Sequence, residues 1–128
     1  MLIRVFLYLL LISVIGISSP AFAGKLVREF SGSRSIYTTE FKASDPWLID
    51  WRVESPNPRS MSVSVTLIDA RTDSHAGRVV QTMREGDGLR LMDQSGVFRF
   101  RVDAKESDWI IRVIQLNREE AKLYTPKY

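Results

Sequence analysis

The sequence has no cysteine and only one histidine, His75, among its 128 residues. Without cysteine the chain cannot form disulfide bonds, carry out thiol chemistry or bind metals through thiolates. A single histidine also falls short of the several imidazole ligands that many protein zinc sites use. We therefore expect a domain that is held together by its apolar core alone and that carries no cofactor.

The sequence also lacks a large excess of charge of either sign. Lysine and arginine together number 18, against 15 aspartate and glutamate residues, which gives a formal net charge of +3. Domains that bind nucleic acid normally concentrate a stronger positive charge on one surface. We therefore expect no nucleic-acid partner.

Only one long apolar run is present, at residues 5–17, and it follows a short basic start. Residues 21–23 read Ala-Phe-Ala, so the whole arrangement is typical of a cleavable export signal. A membrane-spanning helix needs about 20 apolar residues, and this run is shorter. We predict a signal peptide over residues 1–23, a periplasmic or secreted mature chain and no transmembrane segment after cleavage; an uncleaved membrane anchor is the alternative.

The rest of the chain consists of short segments in which apolar and polar residues alternate. Residues 61–67 are the clearest case, because four apolar side chains point one way while Ser62, Ser64 and Thr66 point the other. Such a period of two predicts strands. Similar or weaker alternation occurs at residues 26–30, 36–42, 47–54, 78–84, 88–92, 97–103 and 109–113.

About eight strands separated by turn residues predict an all-β fold, a single two-sheet antiparallel sandwich of jelly-roll-like type over residues 24–116. Residues 117–128 are predicted to form a short helical or irregular tail, because acidic residues come early and a lysine late in residues 117–123.

One strand pairing follows from the pattern if residues 104–107 form a hairpin loop. Val102 then faces Trp109, and Phe100 faces Ile111, so that the inner pairs are large and apolar. The same register places Arg99 opposite Arg112 on the outer face.

Like charges that face each other in a sheet are unfavourable unless something neutralises them. Arg99, Arg101 and Arg112 are therefore the candidate face for an anionic partner, either an acidic protein surface or an anionic envelope component. The alternative is a solvated face that nearby carboxylates neutralise.

The order of these motifs resembles a loose class of small exported bacterial β-sandwich domains. The resemblance is carried by Thr39-x-Phe41, Trp47-x-Ile49-x-Trp51, Gly96-x-Phe98-x-Phe100-x-Val102 and Trp109-x-Ile111-x-Val113. It implies an architecture only, since no activity is established for such domains and a shared fold does not define a function.

No group of residues predicts an enzyme or a metal site. Asp73-Ser74-His75 contains the residue types of a hydrolytic triad, but a triad needs groups that converge from separate elements. Asp50 and Glu54 are carboxylates of the kind that glycosidases use, yet they lie near arginines that they would neutralise. The loop aspartates could in principle converge on calcium, although no EF-hand spacing is present; they are Asp69, Asp73, Asp87 and Asp93.

The three tryptophans fall on the inward side of their predicted strands, so we expect core packing rather than a sugar-stacking platform. The sequence favours an exported, non-enzymatic binding or interaction module of the cell envelope that acts through a sheet face or loops. Two alternatives stay open: a carbohydrate-binding jelly-roll module with exposed aromatics, and an envelope assembly component that pairs through an edge strand.

Overall fold

The alternating segments form nine strands within residues 24–124, the part of the chain that this computed structural model describes. The strands are β1 (Lys25–Gly32), β2 (Ile36–Tyr37), β3 (Phe41–Ala43), β4 (Trp47–Glu54), β5 (Ser62–Asp69), β6 (His75–Thr82), β7 (Gly86–Met92), β8 (Gly96–Lys105) and β9 (Asp108–Gln115). A short helix, α1 (Arg118–Ala121), follows β9. The predicted signal peptide lies outside the described residues.

The segment at residues 36–42 forms two short strands, β2 and β3, where the alternation predicts one. Both pair with β8, and Thr38 lies between them. The Thr38 backbone N–H donates to the carbonyl of Phe100 at 2.9 Å, while the Thr38 hydroxyl accepts from the Phe100 N–H at 2.9 Å. Because the hydroxyl takes the place of a backbone carbonyl, this edge stays attached to β8 although the strand is interrupted.

The strands form two antiparallel sheets that face each other. Sheet A has the order β1-β9-β4-β7, and sheet B has the order β2-β8-β5-β6 with β3 also paired to β8. The predicted all-β sandwich is confirmed. The strand pairs are nested in sequence: β1 pairs with β9, β2 and β3 with β8, β4 with β7, and β5 with β6. In the two sheets, β9 also lies beside β4, and β8 lies beside β5. This nesting is the topology of a jelly roll.

The core lies between the sheets and is built from the inward residues of each strand. Phe41 is at its centre, with its ring centroid 5.0 Å from that of Phe100 and 5.7 Å from that of Trp47. Each large side chain that is fully buried in this way stabilises the fold by about 1.5–3 kcal/mol. With no disulfide present, this burial is the main source of stability.

The tryptophans lie on the inner side of sheet A, as the alternation predicts. Trp47 and Trp109 are 0% and 3% exposed, and their indole N–H groups donate to the backbone carbonyls of Gln94 and Arg34. Trp51 is partly buried and lies over Gly88, where an added Cβ would come within 2.6 Å of the indole ring. None of the three forms an exposed platform for a sugar.

The predicted hairpin between β8 and β9 is wrong, because these strands belong to different sheets. β8 pairs with β5, and β9 pairs with β4. The connection crosses the sandwich at Glu106, whose φ of 46° is left-handed, and at the buried Ser107, whose hydroxyl donates to the Lys105 carbonyl at 2.7 Å. Strands on opposite sides of a core show the same apolar alternation as strands paired in one sheet, so the pattern does not distinguish them.

The helix α1 packs on the outside of sheet A. Asn117 caps it, since the Asn117 side chain accepts from the Glu120 N–H and the Glu120 carboxylate accepts from the Asn117 N–H. Ala121 and Tyr124 then lie against an outer apolar cluster of Leu48, Ile114 and Leu116. The helix lies within the residues where the sequence predicts one.

Candidate ligand-binding face on sheet B

The two outer surfaces of the sandwich differ in what covers them. The outer surface of sheet A carries the helix and the apolar cluster beneath it. Apart from the buried Ile68, the outward residues of sheet B are mainly polar and are half-buried or exposed along β2, β8, β5 and β6. We call this outward surface of sheet B the sheet B face.

Four side chains form one row across the strands of the sheet B face. The strand registers pair Tyr37 with Arg101, Arg101 with Thr66, and Thr66 with Arg78. Neighbouring strands lie about 4.8 Å apart, so adjacent members of the row are within reach of one ligand. We call Tyr37, Arg101, Thr66 and Arg78 the cross-strand row; it joins an aromatic ring, a hydroxyl and two guanidinium groups.

Tyr37, Arg101 and Arg78 of this row are exposed. Tyr37 is 56% exposed, and the side chain of Arg101 is 52% exposed. The guanidinium carbons of Arg99 and Arg101 lie 5.5 and 6.0 Å from the centre of the Tyr37 ring, which fits a cation–π contact. The ring therefore holds two cations at one place on the surface.

Each of these arginines has a carboxylate beside it. Arg99 forms an ion pair with Asp73, which is held in the loop before β6 at a left-handed φ of 59°. Arg101 Nε lies 3.2 Å from an oxygen of Asp103. Arg99 Nε is buried and has no hydrogen-bond partner among residues 24–124. The face is thus partly neutralised, and one guanidinium donor on it stays unused.

A depression of about 340 Å³ adjoins the cross-strand row, and both polar side chains and the apolar Val63, Met83 and Ala104 line it. Asp103, Ser64 and Gln81 cross it side by side in register, and Lys105 and Ser62 lie one step further along the same strands. The lining offers hydroxyl, amide, carboxylate and ammonium groups close together. A ligand that carries both donors and acceptors could satisfy them.

Arg112 is not part of this surface, although the sequence groups it with Arg99 and Arg101. Its strand pairing places it opposite Asp50 and Glu29 in sheet A, on the other side of the molecule. Arg112 Nε donates to Glu29 at 3.0 Å, and Arg112 Nη1 lies 4.0 Å from Asp50, which is 6% exposed. The predicted Arg99–Arg112 contact fails because it depends on the wrong hairpin.

The remaining sequence candidates do not converge on a catalytic arrangement. The Ser74 hydroxyl bonds to the Thr72 hydroxyl at 2.6 Å, and His75 is exposed at the start of β6. The Asp69 carboxylate accepts from the Arg71 N–H at 2.9 Å and so stabilises the turn itself. In the described part of the chain, no three His, Cys, Asp or Glu side chains come close enough to hold a metal ion.

Sequence reasoning missed Tyr37, Thr66 and Arg78 as parts of a common surface. The polar side of residues 61–67 was a usable signal only in that it indicates that Ser62, Ser64 and Thr66 point outward. The contribution of Tyr37 depends on which strand lies next to Arg101, and one sequence does not contain that information.

Among residues 24–124, no helix has both the length and the apolar character that a membrane crossing requires. Comparison of the chain with protein-family models and with curated proteins finds no match. The resemblance to small exported bacterial sandwich domains therefore stays a prediction.

Proposed function

We propose that the protein is an exported, non-enzymatic binding module of the cell envelope, and that its sheet B face binds an anionic ligand. The observation that carries this proposal is the cross-strand row, in which two guanidinium groups and an exposed tyrosine lie side by side on an open surface. Planar guanidinium groups suit carboxylate, sulfate and phosphate, since they donate two parallel hydrogen bonds.

The charges near the row also support an anionic ligand. Arg78, Arg99, Arg101 and Lys105 lie on the face, against Asp73 and Asp103. Arg78 Nη1 donates to the uncharged Gln81 at 2.7 Å. Among the described residues, no carboxylate forms an ion pair with Arg78. An anion that reaches the row meets a net positive surface.

The test compares Arg78→Gln/Arg101→Gln with the wild-type protein, using heparin and polygalacturonate as soluble anionic probes at two salt concentrations. We expect the double variant to bind at least one probe about tenfold more weakly, because each hydrogen bond to a charged group contributes about 1.5–3 kcal/mol. The difference should be larger at low salt, where charge attraction is less screened.

The matched control is Arg52→Gln, which removes an exposed arginine from the outer side of β4 in sheet A. This variant should bind both probes as the wild type does. Equal binding by the wild type, the double variant and the control would refute a role for the sheet B face. Unfolding midpoints of all three proteins establish that any loss of binding is not a loss of fold.

A further inference from the structure

We infer that the ligand of the sheet B face is an acidic polysaccharide. This inference depends on the proposed function and gives its ligand a chemical class. The acidic groups of the sugar chain lie on the cross-strand row, and its hydroxyl groups enter the depression next to the row.

Asp103 lies between the cross-strand row and the depression. The Asp103 side chain is 51% exposed, and its Oδ2 lies 3.2 Å from Nε of Arg101, one of the two cations of the row. A carboxylate at this place repels a ligand that offers only negative charge. It favours a ligand that also offers O–H donors, because an ionised carboxylate only accepts hydrogen bonds. Sugars that carry acidic groups have both features.

The hydrogen-bonding side chains in the lining of the depression also fit a ligand that carries hydroxyl groups. Ser62, Ser64 and Gln81 present small neutral groups that both donate and accept, as hydroxyl-bearing ligands require. Met83 is the exposed apolar side chain at its rim. Protein-binding surfaces usually centre on several aromatic or large apolar anchors, and this depression lacks such a cluster.

The arrangement of charges on the sheet B face differs from that of surfaces that bind anionic lipids. Anionic lipid surfaces attract clusters of four to eight lysines and arginines. On the sheet B face, Asp73 lies beside Arg99 and Asp103 lies beside Arg101. Positive and negative side chains therefore alternate there and do not form a continuous basic cluster. That spacing suits a ligand whose acidic groups alternate with neutral hydroxyls along a chain.

The experiment measures binding of the purified protein by calorimetry to five probes: polygalacturonate, heparin, poly-L-glutamate, neutral dextran and phosphatidylglycerol vesicles. Poly-L-glutamate has carboxylates without hydroxyls, and dextran has hydroxyls without charge. We expect polygalacturonate or heparin to bind at least about tenfold more tightly than the other three probes, which corresponds to loss of one charged hydrogen bond or more.

Two variants test the depression separately from the arginines. Ser64→Val keeps a good strand former but fills the depression with methyl groups, and Asp103→Asn keeps the shape but removes the charge. We expect each to weaken binding of the acidic polysaccharide about tenfold. Ser31→Val, on the outer side of β1 in sheet A, is the matched control and should bind as the wild type does.

The outcomes separate this inference from the proposed function. If poly-L-glutamate or the vesicles bind as tightly as the polysaccharides, and Arg78→Gln/Arg101→Gln abolishes that binding, the face binds anions but the polysaccharide inference is wrong. Tighter binding of the polysaccharide by Asp103→Asn would also contradict the inference. If no probe responds to the arginine variant, both proposals fail.

Discussion

Single arginines play different parts on the two sheets. In sheet A, Arg112 lies between the carboxylates of Glu29 and Asp50 and neutralises both. The Asp50 carboxylate is buried and has little contact with water. In sheet B, Arg101 is half exposed and has one exposed carboxylate beside it. An exposed pair of this kind contributes little to stability. Arg112 is therefore a structural residue, whereas Arg101 is available to a ligand.

The Arg112→Gln variant tests this distinction. We expect it to lower the free energy of unfolding by about 1–2 kcal/mol, because it leaves the buried Asp50 carboxylate without its cation. Arg101→Gln should leave the free energy of unfolding within about 0.5 kcal/mol of the wild type. Urea unfolding measures both. A neutral or stabilising effect of Arg112→Gln would show that Asp50 does not depend on this contact.

For single residues, the sequence predicts whether a side chain is buried better than it predicts which side chains contact it. Trp47 lies in phase with Ile49 and Val53, and Trp109 lies in phase with Ile111 and Val113, which indicates that both tryptophans point into the core. The contact of Tyr37 with Arg101 arises because β2 pairs with β8, and the contact of Arg112 with Asp50 arises because β9 pairs with β4. A periodic pattern gives the direction of a side chain but not the strand beside it.

Among the elements, the helix α1 is the smallest and depends most on local contacts. An isolated helix of one turn is not stable in water, so α1 needs both its cap and its packing on Ile114 and Leu116. The Asn117 capping box satisfies backbone N–H groups at its start. The cap thereby holds Ala121 and Tyr124 over the apolar cluster of sheet A.

We expect Asn117→Ala to lower the free energy of unfolding by about 1 kcal/mol, the usual cost of removing a helix cap. Glu119→Gln, which removes only an exposed ion pair with Lys122, serves as the control and should leave the unfolding midpoint unchanged. Hydrogen exchange of the backbone amides in residues 118–124 gives a second readout. Unchanged exchange and stability in Asn117→Ala would mean that packing alone holds the helix.

The strands themselves follow from the alternation, but their assignment to sheets does not. The hairpin predicted between β8 and β9 satisfies every apolar pair, and it is wrong because Glu106 and Ser107 carry the chain from sheet B to sheet A. The predicted site is wrong for the same reason, because Arg112 lies on sheet A and Arg78, which was not predicted, lies on the sheet B face. What the sequence does contain is the polar outward side of β5, with Ser62, Ser64 and Thr66.

For the whole molecule, the jelly roll explains why one sheet is available for binding. Rolling up the nested strand pairs brings the C-terminal helix onto sheet A, and it leaves the outward side of sheet B without a packed element in the described residues. Its side chains are fixed to four strands of a packed sandwich. A fixed backbone of this kind loses little backbone entropy on binding, so the entropy cost is confined to the ordering of the exposed side chains.

A titration of the ¹⁵N-labelled protein with an oligogalacturonate, followed by backbone amide NMR shifts, tests whether the sheet B face binds an acidic polysaccharide. The account predicts that the perturbed amides cluster on β2, β8, β5 and β6, with the largest changes around Tyr37, Arg101 and Ser64. Amides of β1, β4, β7 and β9 should show the smaller changes. Shifts centred on sheet A or the helix, or no shifts at millimolar ligand, would contradict it.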